Sequence, residues 1–114
     1  MWSPAPLRRA LVFSPELTSA RARVQAEAWG PMGVTANNIA PGYFETELTA
    51  PVFADTERAA KLAATTALGR NGDLDDLVGL AVFLCSKASD YITGQTIYCD
   101  GGFTAMGLAR PAKR

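Results

Sequence analysis

Gly33-Val34-Thr35-Ala36-Asn37-Asn38-Ile39-Ala40-Pro41-Gly42-Tyr43-Phe44-Glu45-Thr46 decides the fold of this chain. Val34 to Ala40 carry small and apolar residues on both faces, as a strand covered on both sides of a parallel sheet requires. Pro41 ends the strand because it has no N–H for the ladder. Gly42 has no Cβ, so backbone there can approach a ligand. In open α/β sheets ligands bind beyond the carboxyl ends of the strands. Thr46 adds a hydroxyl and an N–H near the next helical stretch, where anions bind well. Taken alone, Pro-Gly reads as an ordinary strand end and loop.

Outward from this stretch, the elements alternate. Residues 17–29 can form a helix capped by Ser14 or Thr18, with Val24 and Ala28 on one face; Gly30-Pro31 stops it. Residues 54–66 read as a helix capped by Asp55. Asn71-Gly72 marks a turn. Asp73 caps a further helix, with Asp76 completing a variant capping box. Its predicted inner face is Leu74, Leu77, Val78, Ala81, Val82 and Cys85. Gln95 to Cys99 form a second strand, followed by Asp100-Gly101-Gly102 and an apolar patch at Phe103 and Met106. A strand–helix–strand crossover of this length implies parallel pairing with a right-handed connection. Two such strands cannot cover their own faces and edges, so the expected fold is α/β, part of a doubly wound sheet.

Composition narrows the function. Eleven basic residues balance eleven acidic ones, which argues against a nucleic-acid partner. No run reaches the ~18 apolar residues of a membrane span. The chain has no His, which removes Ser-His-Asp and Cys-His systems and His-based metal sites. Cys85 and Cys99 lack metal-ligand spacing; two buried free thiols in a reducing, cytoplasmic compartment are expected.

Four motifs in succession carry a resemblance. Asn37, Ile39, Pro41, Gly42 and Thr46 match Asn-x-Ile-x-Pro-Gly-x-x-x-Thr. Leu68-Gly69-Arg70-x-Gly72, the helix from Asp76 to Ser86, and Thr93-Gly94-Gln95 with Asp100-Gly101-Gly102 follow in order. Together they resemble the C-terminal part of the short-chain dehydrogenase/reductases, and among them the gluconate 5-dehydrogenase-like members. The resemblance implies a C-terminal fragment of a Rossmann-type sheet, comprising its last two strands and associated helices. It implies hydride transfer between NAD or NADP and a secondary alcohol or ketone, here a sugar acid, in a homo-oligomer. Ile39, Pro41, Gly42, Phe44 and Thr46 become the expected cofactor-binding residues. Residues 43–68 become a substrate lid.

The resemblance also implies what this sequence lacks. The family's Gly-rich cofactor turn is absent. Its acid/base is a Tyr with a Lys four residues later, which lowers the phenol pKa. Here Tyr43, Tyr91 and Tyr98 are followed at that spacing by Glu47, Gln95 and Gly102. No catalytic residue and no metal ligand is therefore assigned. Residues 1–25, with Pro4, Pro6, Pro15, Arg21 and Arg23, are expected to be atypical: a frame-shifted stretch, a miscalled start or a transit peptide. Residues 26–106 form the dehydrogenase-like part, and 107–114 a basic tail. Loss of the catalytic pair leads to two expectations: an oxidoreductase lineage inactive as this chain, or a non-catalytic chain that only associates with full-length relatives.

Overall fold

The structure, a computed structural model, describes residues 8–13 and 18–106. The proposed cap at Ser14 and the tail 107–114 lie outside the described residues. Three strands, β1 (Arg8–Phe13), β2 (Val34–Pro41) and β3 (Thr96–Cys99), form one sheet in the order β1-β2-β3. The last two are those the sequence predicts. β1 is not: it falls in the segment expected to be atypical, and it pairs in parallel with β2 from Arg8 opposite Val34 to Phe13 opposite Ile39. The edge of β2 expected to be open is therefore paired. Residues 35–39 of β2 are all buried, as the residues on its two faces predict.

Four helices accompany the sheet: α1 (Thr18–Trp29), α2 (Ala50–Ala54), α3 (Thr56–Ala64) and α4 (Asp75–Cys85). The helix predicted over 54–66 forms as α3, shorter at both ends and preceded by the short α2, with Asp55 at its start as expected. This residue is extended and caps α3, its carboxylate accepting from Arg58 N–H at 3.1 Å. The capping box of α4 forms as predicted: Asp75 N–H donates to Asp73 Oδ1 at 2.9 Å, and Asp73 N–H to Asp76 Oδ2 at 2.8 Å.

The chain divides into two compact units. The sheet unit takes residues up to Ala40 together with Leu77–Ile97. The loop unit takes Pro41–Asp76 and the residues from Tyr98 on.

In the sheet unit, helix phase departs from expectation. α1 buries Ala22 and half-buries Gln25, Ala26 and Trp29, leaving Val24 and Ala28 exposed. Ala26 packs beside Gly94. α4 turns Leu77, Leu80, Ala81 and Leu84 inward, with Leu84 1% exposed, while Val78 and Val82 remain more than half exposed. The cause is composition. α4 is apolar on nearly every side, so two stripes satisfy the same helical period and the pattern cannot choose between them. Cys85 follows the outer stripe and is exposed, against the expectation of a buried thiol.

Candidate functional site

Asn37 anchors the strand that leads to the site. Its side chain is 1% exposed and clasps the chain before β3: Nδ2 donates to Ile92 O at 2.9 Å, and Oδ1 accepts from Gln95 N–H at 3.2 Å. Thr93 Oγ1 accepts from Ala36 N–H at 3.0 Å. The first and last motifs of the sequence thus meet in the sheet unit, and the buried amide is satisfied. Ile39, also in this unit, is fully buried.

The remaining predicted residues lie in the loop unit. Gly42 N–H donates to Cys99 O at 3.0 Å. A Cβ on Gly42 would stand 2.7 Å from the Asp100 Cα. The close approach that glycine permits here is to the β3 end, and this is a sufficient physical reason for the residue. Pro41 is exposed, and Phe44 is buried at 7%. Phe44 lies against Gly72, where any side chain would run into its ring, and Gly72 N–H donates to Tyr43 O at 2.8 Å. The second motif therefore meets the first because Gly72 has no side chain.

Thr46 sits in a network the sequence reading missed. Its N–H donates to Thr49 Oγ1 at 2.8 Å, and the two hydroxyl oxygens stand 3.1 Å apart. Thr49 Oγ1 also lies 2.7 Å from Phe44 O, and Thr49 N–H reaches back to Thr46 Oγ1 at 3.3 Å. The N–H that Thr46 was expected to offer an anion is thus already used. A hydroxyl three residues after another, at a helix start, is a capping pattern that could have revealed this.

A cavity of about 170 Å³ opens in the same unit, lined among others by Tyr43, Phe44, Leu68, Arg70, Cys99 and Asp100. Arg70 and Asp76 form a forked ion pair there, at 2.7 and 3.0 Å. The hydrogen bond from Arg70, then that from Asp73 N–H, holds the Asp76 carboxyl down at about 2, and the pairing raises Arg70. Burial pushes the Cys99 thiol up, so it stays protonated; Sγ–H donates to Asp76 O at 3.6 Å. Burial also pushes Asp100 up, but bonds from Thr104 and from Gly102 N–H outweigh it and leave the carboxyl below its usual range. Tyr43 makes an edge contact with Phe103, ring centroids 5.4 Å apart. Arg70, Asp76, Cys99 and Asp100 are each engaged in bonds that hold the loop unit. Among the described residues no cluster of His, Cys, Asp and Glu could hold a metal, and no helix is long and apolar enough to cross a membrane.

Comparison with known proteins places this arrangement. A family model described as enoyl-(acyl carrier protein) reductase matches residues 17–104. The gluconate 5-dehydrogenase of Gluconobacter oxydans is 47% identical over 79 residues, which is 69% of this chain and 31% of that protein. A tropinone reductase homolog of Arabidopsis thaliana is 40% identical over 88 residues, 77% of this chain and 34% of that one. The crystal structure of a gluconate 5-dehydrogenase from Burkholderia cenocepacia, in complex with NADP and tartrate, superimposes with a TM-score of 0.74 at 40% identity; the match covers 78% of this chain and 35% of that one. The chain thus spans about a third of the length of these relatives. With the motifs in order and the Rossmann-type elements in place, the chain belongs to the short-chain dehydrogenase/reductase family.

Proposed function

We propose that this chain is the C-terminal part of an NAD(P)-dependent oxidoreductase that interconverts a secondary alcohol and a ketone of a sugar acid. The gluconate 5-dehydrogenase relatives support that substrate class. Pro41, Gly42, Phe44 and Thr46 line the nicotinamide end of the cofactor, and Ile39 belongs to the strand that carries them. The carrying observation is the loop after β2, fixed before any ligand arrives by Thr49 on Phe44 and Thr46. Phe44, buried against Gly72, fixes the course of the loop, whereas exposed Thr46 offers its hydroxyl oxygen. Bound there, the dinucleotide would supply the hydride. This chain's residues orient it and supply no acid or base, so the 114 residues alone do not turn over. The assembled enzyme is cytoplasmic and homo-oligomeric in this reading.

Transplanting residues 33–106 into the Gluconobacter oxydans enzyme in place of its own segment tests this. The chimera is expected to bind NAD or NADP and to oxidise a sugar acid. A folded chimera without cofactor affinity would overturn the assignment. A second reading, association with full-length relatives without catalysis, is favoured by the exposed Val78 and Val82 stripe of α4. Co-purification of the chain with a tagged full-length relative is its test.

A further inference from the structure

We propose that Asn71-Gly72 is a self-modification site held in check by the folded loop unit: when the unit opens, Asn71 cyclises and is converted to an aspartyl or isoaspartyl residue. The chain has three asparagines, and Asn71 is the one followed by glycine. A glycine has no Cβ, so the backbone nitrogen after the asparagine is unshielded. Glycine stands there because a side chain at position 72 would run into the Phe44 ring. The packing of Phe44 thus imposes the neighbour that makes Asn71 reactive.

The reaction needs only the chain and water. The Gly72 nitrogen loses its proton and attacks Asn71 Cγ. The Cγ–Nδ2 bond breaks, Nδ2 takes up that proton and leaves as ammonia, and a five-membered succinimide remains. Water opens the ring at Cγ to give aspartate, or at the main-chain carbonyl to give isoaspartate. In the fold every participant is engaged elsewhere. Gly72 N–H donates to Tyr43 O at 2.8 Å, and Asn71 Nδ2 donates to Ala59 O at 3.0 Å. Asn71 Oδ1, where negative charge would develop, is buried with no donor to stabilise it. All these partners belong to the loop unit, so its opening frees the nucleophile and the leaving group together. Closure is then lost. Isoaspartate adds one carbon to the backbone between Arg70 and Gly72, which misaligns the bridge between Phe44 and Gly72. Aspartate places a carboxylate on the cavity wall that Asp76 and Asp100 already line. Conversion therefore acts as a one-way latch.

Incubation of the full chain in mildly alkaline buffer, with and without guanidinium chloride, tests this by peptide mass spectrometry and by hydrogen exchange at the Gly72 amide. In denaturant Asn71 should convert well ahead of Asn37 and Asn38, whose following residues carry side chains. In native buffer its conversion should slow by about tenfold or more, because only the open fraction reacts. Phe44→Ala takes the ring away from Gly72 and should speed native conversion and Gly72 exchange together. Should that variant not fold, wild-type chain in sub-denaturing guanidinium chloride should show the same joint rise. Converted chain returned to native buffer should keep an unprotected Gly72 amide. No conversion at Asn71 in denaturant overturns the site. Equal rates in the two buffers, or a native rate that does not follow Gly72 exchange, overturns the control by the fold. Full Gly72 protection in converted chain overturns the latch.

Discussion

The two units of this molecule satisfy their polar groups to different degrees. In the sheet unit, Gln25 Oε1, Thr35 Oγ1, Thr96 Oγ1 and both side-chain polar atoms of Asn38 are buried without a hydrogen-bond partner. In the loop unit Asn71 Oδ1 alone is so placed among the described residues. Thr46, Thr66, Arg70, Asp76 and Asp100 there are each tied to backbone or to one another. Orphaned buried groups carry a desolvation cost that satisfied ones do not. The difference teaches that the motif-bearing loops hold their own shape through polar bonds within the chain, whereas the sheet unit buries several polar atoms that find no partner within it.

The largest expected effect breaks the sheet side of that comparison. Leu84 is the deepest apolar residue of α4, and Leu84→Ala should cost about 2–5 kcal/mol in chemical denaturation. Val82→Ala, on the exposed stripe of the same helix, should stay within about 0.5 kcal/mol. Equal losses would mean that the two stripes of α4 are not distinguished as described. Next comes the loop unit. Gly42→Ala places a Cβ against the Asp100 backbone, an overpacking worth about 1–3 kcal/mol. An unchanged melting temperature would show that β2 and β3 do not approach so closely there.

The smallest effect is electrostatic and sharpens the contrast. Asp76 has its folded pKa depressed from 3.8 to about 2. Its contribution is therefore complete above the unfolded value and is lost as pH falls from about 4 towards 2. Asp100 shifts in the same direction. Amides of the loop unit, such as those of Gly72 and Thr104, should lose exchange protection in that window before Asn38 and Ile39 of β2 do. Uniform loss across both units would contradict the division, and Asp76→Asn should flatten the acid response of the loop unit.

How much of this was legible follows from what each signal encodes. β2, β3, the Asp55 cap and the Asp73–Asp76 box were readable, because strand burial and capping are local patterns. Asn37 and Thr93-Gly94-Gln95 were legible as motifs in succession, but that they meet depends on the pairing of β2 with β3. The inward stripe of α4 was not, since a helix apolar all round leaves its phase to tertiary packing. β1 was missed because Arg8 and Arg9 open it and prolines surround it, which demotes a strand on propensity alone. The reason for Gly42 was half legible: a close backbone approach could be expected there, but that Asp100 makes it depends on the β2–β3 pairing. The Thr46–Thr49 clamp was written in the sequence and overlooked beside the longer motif.

In the function proposed above, this chain holds a preset cofactor-facing loop without the groups that transfer protons. Pure chain mixed with NADPH and a panel of ketoses and keto-acids tests it most directly, through the absorbance of the reduced nicotinamide. No protein-dependent decay is expected for the wild-type chain. A decay that scales with chain concentration and with the keto substrate would contradict it, and would mean that a proton donor other than the family's Tyr-x-x-x-Lys works within these residues.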